Sequence, residues 1–117
     1  MATFTKTLLS GSTQGKAIKI ASTTTNIHTT GISSVTQDEI WLYAYNSSAS
    51  AVVLTVQWGG TTAVDNEYKL SIPATSGLTL VIPGLILTGN GTTGLSLAAL
   101  AATTNVITVT GYVNRIS

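Results

Sequence analysis

A chain of 117 residues with 44% apolar and only 8% charged side chains is long enough for one domain with a substantial core and too apolar for a disordered segment. Its net charge of +1, with the five Lys and Arg scattered along the chain, supplies no basic surface for nucleic acid. The absence of Cys excludes disulfides and thiolate metal sites, and no window holds the ~20 consecutive apolar residues of a membrane helix.

Two alternating segments come first, "ATFTKTLL" (2–9) and "KAIKIAST" (16–23), joined by the Gly/Ser/Thr-rich "SGSTQG". The first apolar run is too short for the core of a secretory leader. "TTTNIHTTG" (23–31) reads as a polar loop carrying His28. "DEIWLYAYN" (38–46) alternates as a strand, with Ile40, Leu42 and Ala44 on one face and Trp41, Tyr43 and Tyr45 on the other. After the polar turn "NSSAS", "AVVLTVQW" (51–58) puts Val52, Leu54, Val56 and Trp58 on one side, and "GG" ends it. The spacing of these two runs predicts an antiparallel hairpin.

"NEYKLSIP" (66–73) predicts a strand with Tyr68, Leu70 and Ile72 inward, closed by Pro73. "LTLVIP" (78–83) predicts another, with Leu78, Leu80 and Ile82 inward and Pro83-Gly84 as its end, and "LILT" (85–88) a further short one. "LSLAALAATT" (95–104) is open between helix, by its Ala and Leu content, and strand. "NVITVTGYVNRI" (105–116) is strongly β-branched, with Ile107, Val109, Gly111 and Val113 on one face. Short strands at regular spacing, with no segment suited to a crossover helix, predict an all-β antiparallel sandwich. Jelly-roll and immunoglobulin-like topologies both remain open. Residues 1–34 form an extended arm or the first strands, and residues 35–117 the sandwich.

Within "TGNGTTGLSL" (88–97), Gly89, Gly91 and Gly94 have the Gly-x-Gly-x-x-Gly spacing of a dinucleotide-binding loop. That chemistry also needs a following helix and an acidic residue about 20 positions on. No Asp or Glu follows Glu67, so the segment is expected to be a tight hairpin turn. The sequons at Asn46 and Asn90 are likewise read as turns.

The remaining polar residues offer little catalytic chemistry. Asp38 and Glu39 are adjacent and point to opposite faces of a strand. Asp65 and Glu67 could share a face but fall short of a cation cage. Solvated charges at strand starts are the expected state of all four. His28 stands without Cys or a sequence-adjacent acid, and no Gly-x-Ser-x-Gly elbow marks a nucleophile. No catalytic residue, metal or cofactor is expected. Trp41, Tyr43, Tyr45 and Trp58 are the candidate interface: aromatic side chains are enriched at the centres of protein contacts, and the low charge fraction suits a surface covered by other subunits.

The run "DEIWLYAYNSSASAVVLTVQWGGTTAVDNEYKLSIPATSGLTLVIPGLIL", followed by "NVITVTGYVNRIS", resembles small β-sandwich virion proteins of tailed bacteriophages. The likeness spans about residues 35–117 and lies in turn and core positions: the aromatic strand ending in Asn46, the strand ending in Gly59-Gly60, the Ile72-Pro73 and Pro83-Gly84 pairs, and the terminal "GYVNRI". The resemblance implies a capsid decoration (cement) subunit without catalysis, made in the host cytoplasm and held on the capsid surface. It implies contact with the major capsid protein, a homotrimer over junctions of that lattice, and an N-terminal arm lying on the shell. The alternative is a neck, tail or fibre module that stacks a host-surface carbohydrate on Trp41 or Trp58. A small hydrolase is the least favoured expectation.

Overall fold

The computed structural model describes residues 2–62, 65–75 and 77–117. Its strands are β1 (Phe4–Thr7), β2 (Ile18–Ile20), β3 (Thr25–Thr29), β4 (Gln37–Asn46), β5 (Val52–Trp58), β6 (Glu67–Ile72), β7 (Thr79–Leu87), β8 (Ser96–Ala101) and β9 (Ile107–Ile116), and there is no helix among the described residues. They form two antiparallel sheets packed face to face. The front sheet has the order β1-β9-β4-β7, with β2 paired to the first half of β9 beside β1, and the back sheet has the order β3-β8-β5-β6. With β1 and β2 taken as one interrupted edge, the order is that of a jelly roll. The stretch expected to be an arm or the first strands supplies β1, β2 and β3, each hydrogen-bonded into a sheet rather than trailing free.

The expected hairpin between 38–46 and 51–58 does not form: β4 pairs with β7 and β9, while β5 pairs with β6 and β8. Both strands bury one alternating face, Ile40, Leu42 and Ala44 on β4 and Val52, Leu54 and Val56 on β5. Those faces meet across the sandwich instead of lying side by side, and alternation cannot distinguish the two arrangements. The corner between the strands is built on Asn46, which is fully buried. Its Nδ2 donates to the carbonyls of Ser50 at 2.8 Å and Ile72 at 3.0 Å, and its Oδ1 accepts from the backbone N–H of Ser48 at 2.9 Å. Asn46→Ala strips partners from three buried or half-buried groups and is expected to cost about 2 kcal/mol, measured as a lower urea midpoint at unchanged m-value.

The segment 95–104 resolves as strand β8, central in the back sheet, with Leu97, Ala99 and Ala101 in the core. Its alanines favour helix only locally; hydrogen bonding to β3 and β5 on both sides overrides that preference. Pro83-Gly84 does not end a strand either. β7 runs through it, with Trp41 opposite Pro83 and Ile40 opposite Leu85, so that Gly84 (φ 82°) is the extra residue of a bulge. The proline is tolerated because β7 is an edge strand. A second slip sets Leu42 opposite Ile82 but Tyr43 opposite Leu80. One residue of slip reverses the faces, so Leu80 is exposed instead of inward, as is Leu78 just before the strand. Tyr68, also expected inward, is 55% exposed at the rim of the sandwich.

Candidate functional site

The densest polar chemistry lies at one end of the sandwich, where Asp38, Arg115 and His28 meet. Asp38 on β4 is register partner to Arg115 on β9. Both keep the parity of their strands' core residues, Ile40 and Val113, and so point between the sheets. His28 arrives from the back sheet. The β3–β8 register slips between Asn26 and His28, so Ile27 and His28 are both buried; the bulge re-aims the imidazole inward. His28 is therefore a buried strand residue, not a loop residue, and Asp38 is a buried ion-pair partner, not a solvated charge.

The Arg115 guanidinium grips the carboxylate in a fork, Nε to Oδ1 at 2.8 Å and Nη2 to Oδ2 at 3.0 Å. His28 Nε2 lies 2.8 Å from Asp38 Oδ2, and its Nδ1 accepts the backbone N–H of Ser10 at 3.0 Å. That acceptor role fixes the tautomer: the ring proton is on Nε2 and is donated to Asp38. Burial on its own raises the Asp38 pKa, but the hydrogen bonds from Arg115 and His28 and the charge of Arg115 outweigh it and hold the carboxyl below its ordinary range. The hydrogen bond to Asp38 in turn raises the Arg115 pKa.

Chemically this is a clasp. Both ring nitrogens of His28 are engaged, so neither is free to take a proton from a nucleophile. The hydroxyl of Ser10, whose N–H meets the ring, accepts the Thr29 N–H at 2.7 Å. The cluster ties the segment after β1, the bulge of β3 and the ends of β4 and β9 together across both sheets. A pocket of about 240 Å³ adjoins it, lined by Gly31, Ile32, Ser33, Thr36, Asp38 and Arg115. Among the described residues, no three His, Asp or Glu side chains gather as metal ligands.

The glycine-rich loop packs against the same end. It is a turn, as expected, but not a hairpin, since β7 and β8 belong to different sheets. Asn90 Oδ1 accepts the N–H groups of Thr92 and Thr93 at 2.9 and 2.7 Å, and Gly91 has a φ of 91°. The N–H of Gly89 goes to the Ser33 carbonyl at 3.0 Å and that of Gly91 to the Ile32 carbonyl at 2.7 Å. A Cβ on Gly89 would collide with the Gly31 carbonyl, and one on Gly94 with the Thr30 carbonyl. These glycines exist for close approach to residues 30–33. The N–H groups of Gly89 and Gly91, which a phosphate cradle would present, are already spent on that segment.

The candidate interface residues separate into two places. Trp41, Tyr43 and Tyr45 share the outer face of the front sheet, half-buried, while Trp58 sits on the back sheet and packs against the core. Tyr112 joins the first group: its ring stacks on Trp41 with centroids 6.4 Å apart and an angle of 16°, and Lys6 Nζ lies 4.9 Å from the Tyr112 centroid. Period-two counting from Val113 would have placed Tyr112 on that face. Trp41 Nε1 donates to Glu39 Oε1 at 2.9 Å, and a Cβ on Gly84 would lie 2.7 Å from the indole Cζ2, so the bulge glycine makes room for the ring. Flanked by Tyr112 on β9 and Gly84 on β7, Trp41 offers a sugar little free ring surface. Comparison with family models, curated proteins and solved structures finds no match to this chain.

Proposed function

We propose that this chain is a non-catalytic structural subunit of a virion, a decoration-type protein that binds the major capsid protein lattice and associates with copies of itself. The observation that supports this best is the outer face of the front sheet. Trp41, Tyr43, Tyr45 and Tyr112 lie across its two central strands, Thr108 and Thr110 beside them, Leu80 and Ile86 along the β7 edge. Two ten-residue strands are roughly 33 Å long at ~3.3 Å per residue, and four strands at ~4.8 Å spacing give a footprint of about 600 Å². That approaches the ~800 Å² per partner of a standard interface. Few charges interrupt it: Lys6 is drawn onto Tyr112, Glu39 onto Trp41, and Lys19 stands at the β2 edge opposite Thr108. The jelly roll is frequent among viral capsid domains, which fits the sequence resemblance, although a fold hosts many functions. Apolar burial at each copy, worth roughly 25 cal/mol per Å² gross, is multiplied over a lattice by repetition.

The test is co-sedimentation with expanded phage heads lacking their decoration protein. Wild type is expected to pellet at saturating stoichiometry. Tyr43→Ala is expected to weaken binding by about 2 kcal/mol, roughly thirtyfold, as an interface anchor does, while its melting temperature stays near wild type because Tyr43 is only half-buried. Failure of the wild-type protein to pellet, or a Tyr43→Ala protein that binds as well as wild type, removes the case for this face.

A further inference from the structure

We infer that β6 is a self-pairing edge, and that two copies of this chain join their back sheets through it about a two-fold axis at Tyr68. The inference goes beyond the capsid reading and does not depend on it. β6 is the free edge of the back sheet and β7 the free edge of the front sheet on the same flank. Between them an apolar cleft of about 340 Å³ stays open, lined by Val56, Tyr68, Leu70, Val81, Ile82 and Leu85. Of these, Tyr68 and Leu85 are exposed at 55% and 42%, while Leu80 and Ile86, at 47% and 48%, stand on the outer face of the same β7 edge.

Which backbone groups face outward follows from the hydrogen bonds. The Trp58 N–H donates to the Asn66 carbonyl at 2.7 Å, and the β5–β6 register continues Val56 opposite Tyr68 and Leu54 opposite Leu70. N–H and C=O groups alternate sides along an antiparallel strand. Residues 66, 68, 70 and 72 therefore bond β5, and Glu67, Lys69 and Ser71 present theirs to the free edge. An antiparallel partner can join only in registers that set these odd-numbered residues against each other. Pairing centred on Glu67 opposes two carboxylates. Pairing centred on Lys69 opposes two ammonium groups. Pairing centred on Leu70 brings Pro73, which has no N–H, opposite Glu67. The register centred on Tyr68 puts Glu67 opposite Lys69 of the second copy and Lys69 opposite its Glu67. Charges on an edge strand normally deter pairing; here their alternation makes the edge self-complementary in one register, as an isologous contact requires. The two Tyr68 side chains then meet in a non-hydrogen-bonded pair over the mouths of both clefts.

In this register β6 overlaps its copy over Glu67–Lys69, about 10 Å at ~3.4 Å per residue, with Leu70 and Ser71 reaching Asn66 and Asp65 of the second copy; the contact is at the small end of specific interfaces, so it is read at high protein concentration. Sedimentation equilibrium up to several hundred micromolar is expected to show a monomer–dimer equilibrium. Lys69→Glu, which opposes carboxylates in both pairs, is expected to weaken it at least tenfold, and so is Glu67→Lys. The double variant Glu67→Lys/Lys69→Glu restores it. The chain has no Cys, which allows a geometric check. Non-hydrogen-bonded partners stand ~4.5 Å apart at Cα, within disulfide range, so Tyr68→Cys is expected to form a disulfide-linked dimer on mild oxidation. Ser71→Cys is not, because its two copies would lie roughly 20 Å apart. A wild-type protein that stays monomeric, a trimer, a double variant that fails to recover, or equal cross-linking of the two cysteine variants overturns the inference. Loss of lattice binding with cross-linking intact would instead fault the capsid reading alone.

Discussion

Gly111→Ala is expected to destabilise the fold by about 3 kcal/mol, lowering the melting temperature by roughly 12 °C at ~4 °C per kcal/mol for a domain of this size. Gly111 is in the middle of β9, opposite Leu42 on β4. A Cβ there would run into the backbone carbonyl of Trp41 and lie 3.1 Å from Leu42 Cα. Both are main-chain atoms of a central strand, so no side-chain rotation relieves the clash. β9 cannot move away, because β1, β2 and β4 all pair with it. Gly31→Ala is the matched comparison, since a Cβ at Gly31 meets nothing within 4 Å; it is expected within about 0.5 kcal/mol of wild type. Thermal melts of the two variants decide the matter, and a Gly111→Ala protein as stable as Gly31→Ala would mean that the strands are less closely set.

The alternation of β4, β5 and β9 was legible because those strands are long, apolar on one face, and unbulged for most of their length: Ile40, Leu42, Ala44, Val109 and Val113 are all inside, as counting by two requires. What counting cannot supply is which strands pair. A jelly roll sends almost every connection to the opposite sheet, so 38–46 and 51–58, adjacent in sequence, face each other through the core. A bulge defeated the count at β7, where it turned Leu80 outward, and β3, expected as a polar loop, is a strand whose own bulge turns His28 inward. The polar clasp was half legible. Asp38 has the parity of Ile40, and Arg115 that of Val113, so both carried a core-face signal that adjacency to Glu39 obscured. The His28 contribution depends on a bulge between Asn26 and His28, for which "TNIHT" holds no marker such as glycine. The close-approach glycines read correctly as a turn, because Gly and Asn favour that backbone whatever it packs against, but not as the expected hairpin, because β7 and β8 belong to different sheets.

The Asp38 clasp carries the other large effect. Removing one member of a buried ion pair costs about 3–5 kcal/mol in general. Arg115 keeps 39% of its side chain in solvent against 2% for Asp38, so the released guanidinium can hydrate and the cost belongs at the lower end, about 3 kcal/mol for Asp38→Ala. Most of it comes from the His28 Nε2–H, left buried without an acceptor, and from the lost fork to Arg115. The pH dependence identifies the carboxylate as the source. The Asp38 pKa is lowered in the folded state, so near pH 4 the unfolded chain binds more protons than the folded one, and stability rises with pH there. The contribution is fully present above the unfolded value, about 4, and is lost as pH falls through the folded one. The raised Arg115 pKa lies on the far alkaline side and adds nothing to this window. Asp38→Asn keeps the shape, cannot ionise, and turns an amide N–H toward Arg115 or His28. Its deficit relative to wild type is expected to be largest between pH 5 and 7 and to shrink steadily below about pH 4. Urea unfolding of both proteins from pH 6 down to pH 2.5 measures it. A deficit that stays constant over that range would assign the cost to packing rather than to the charge of Asp38.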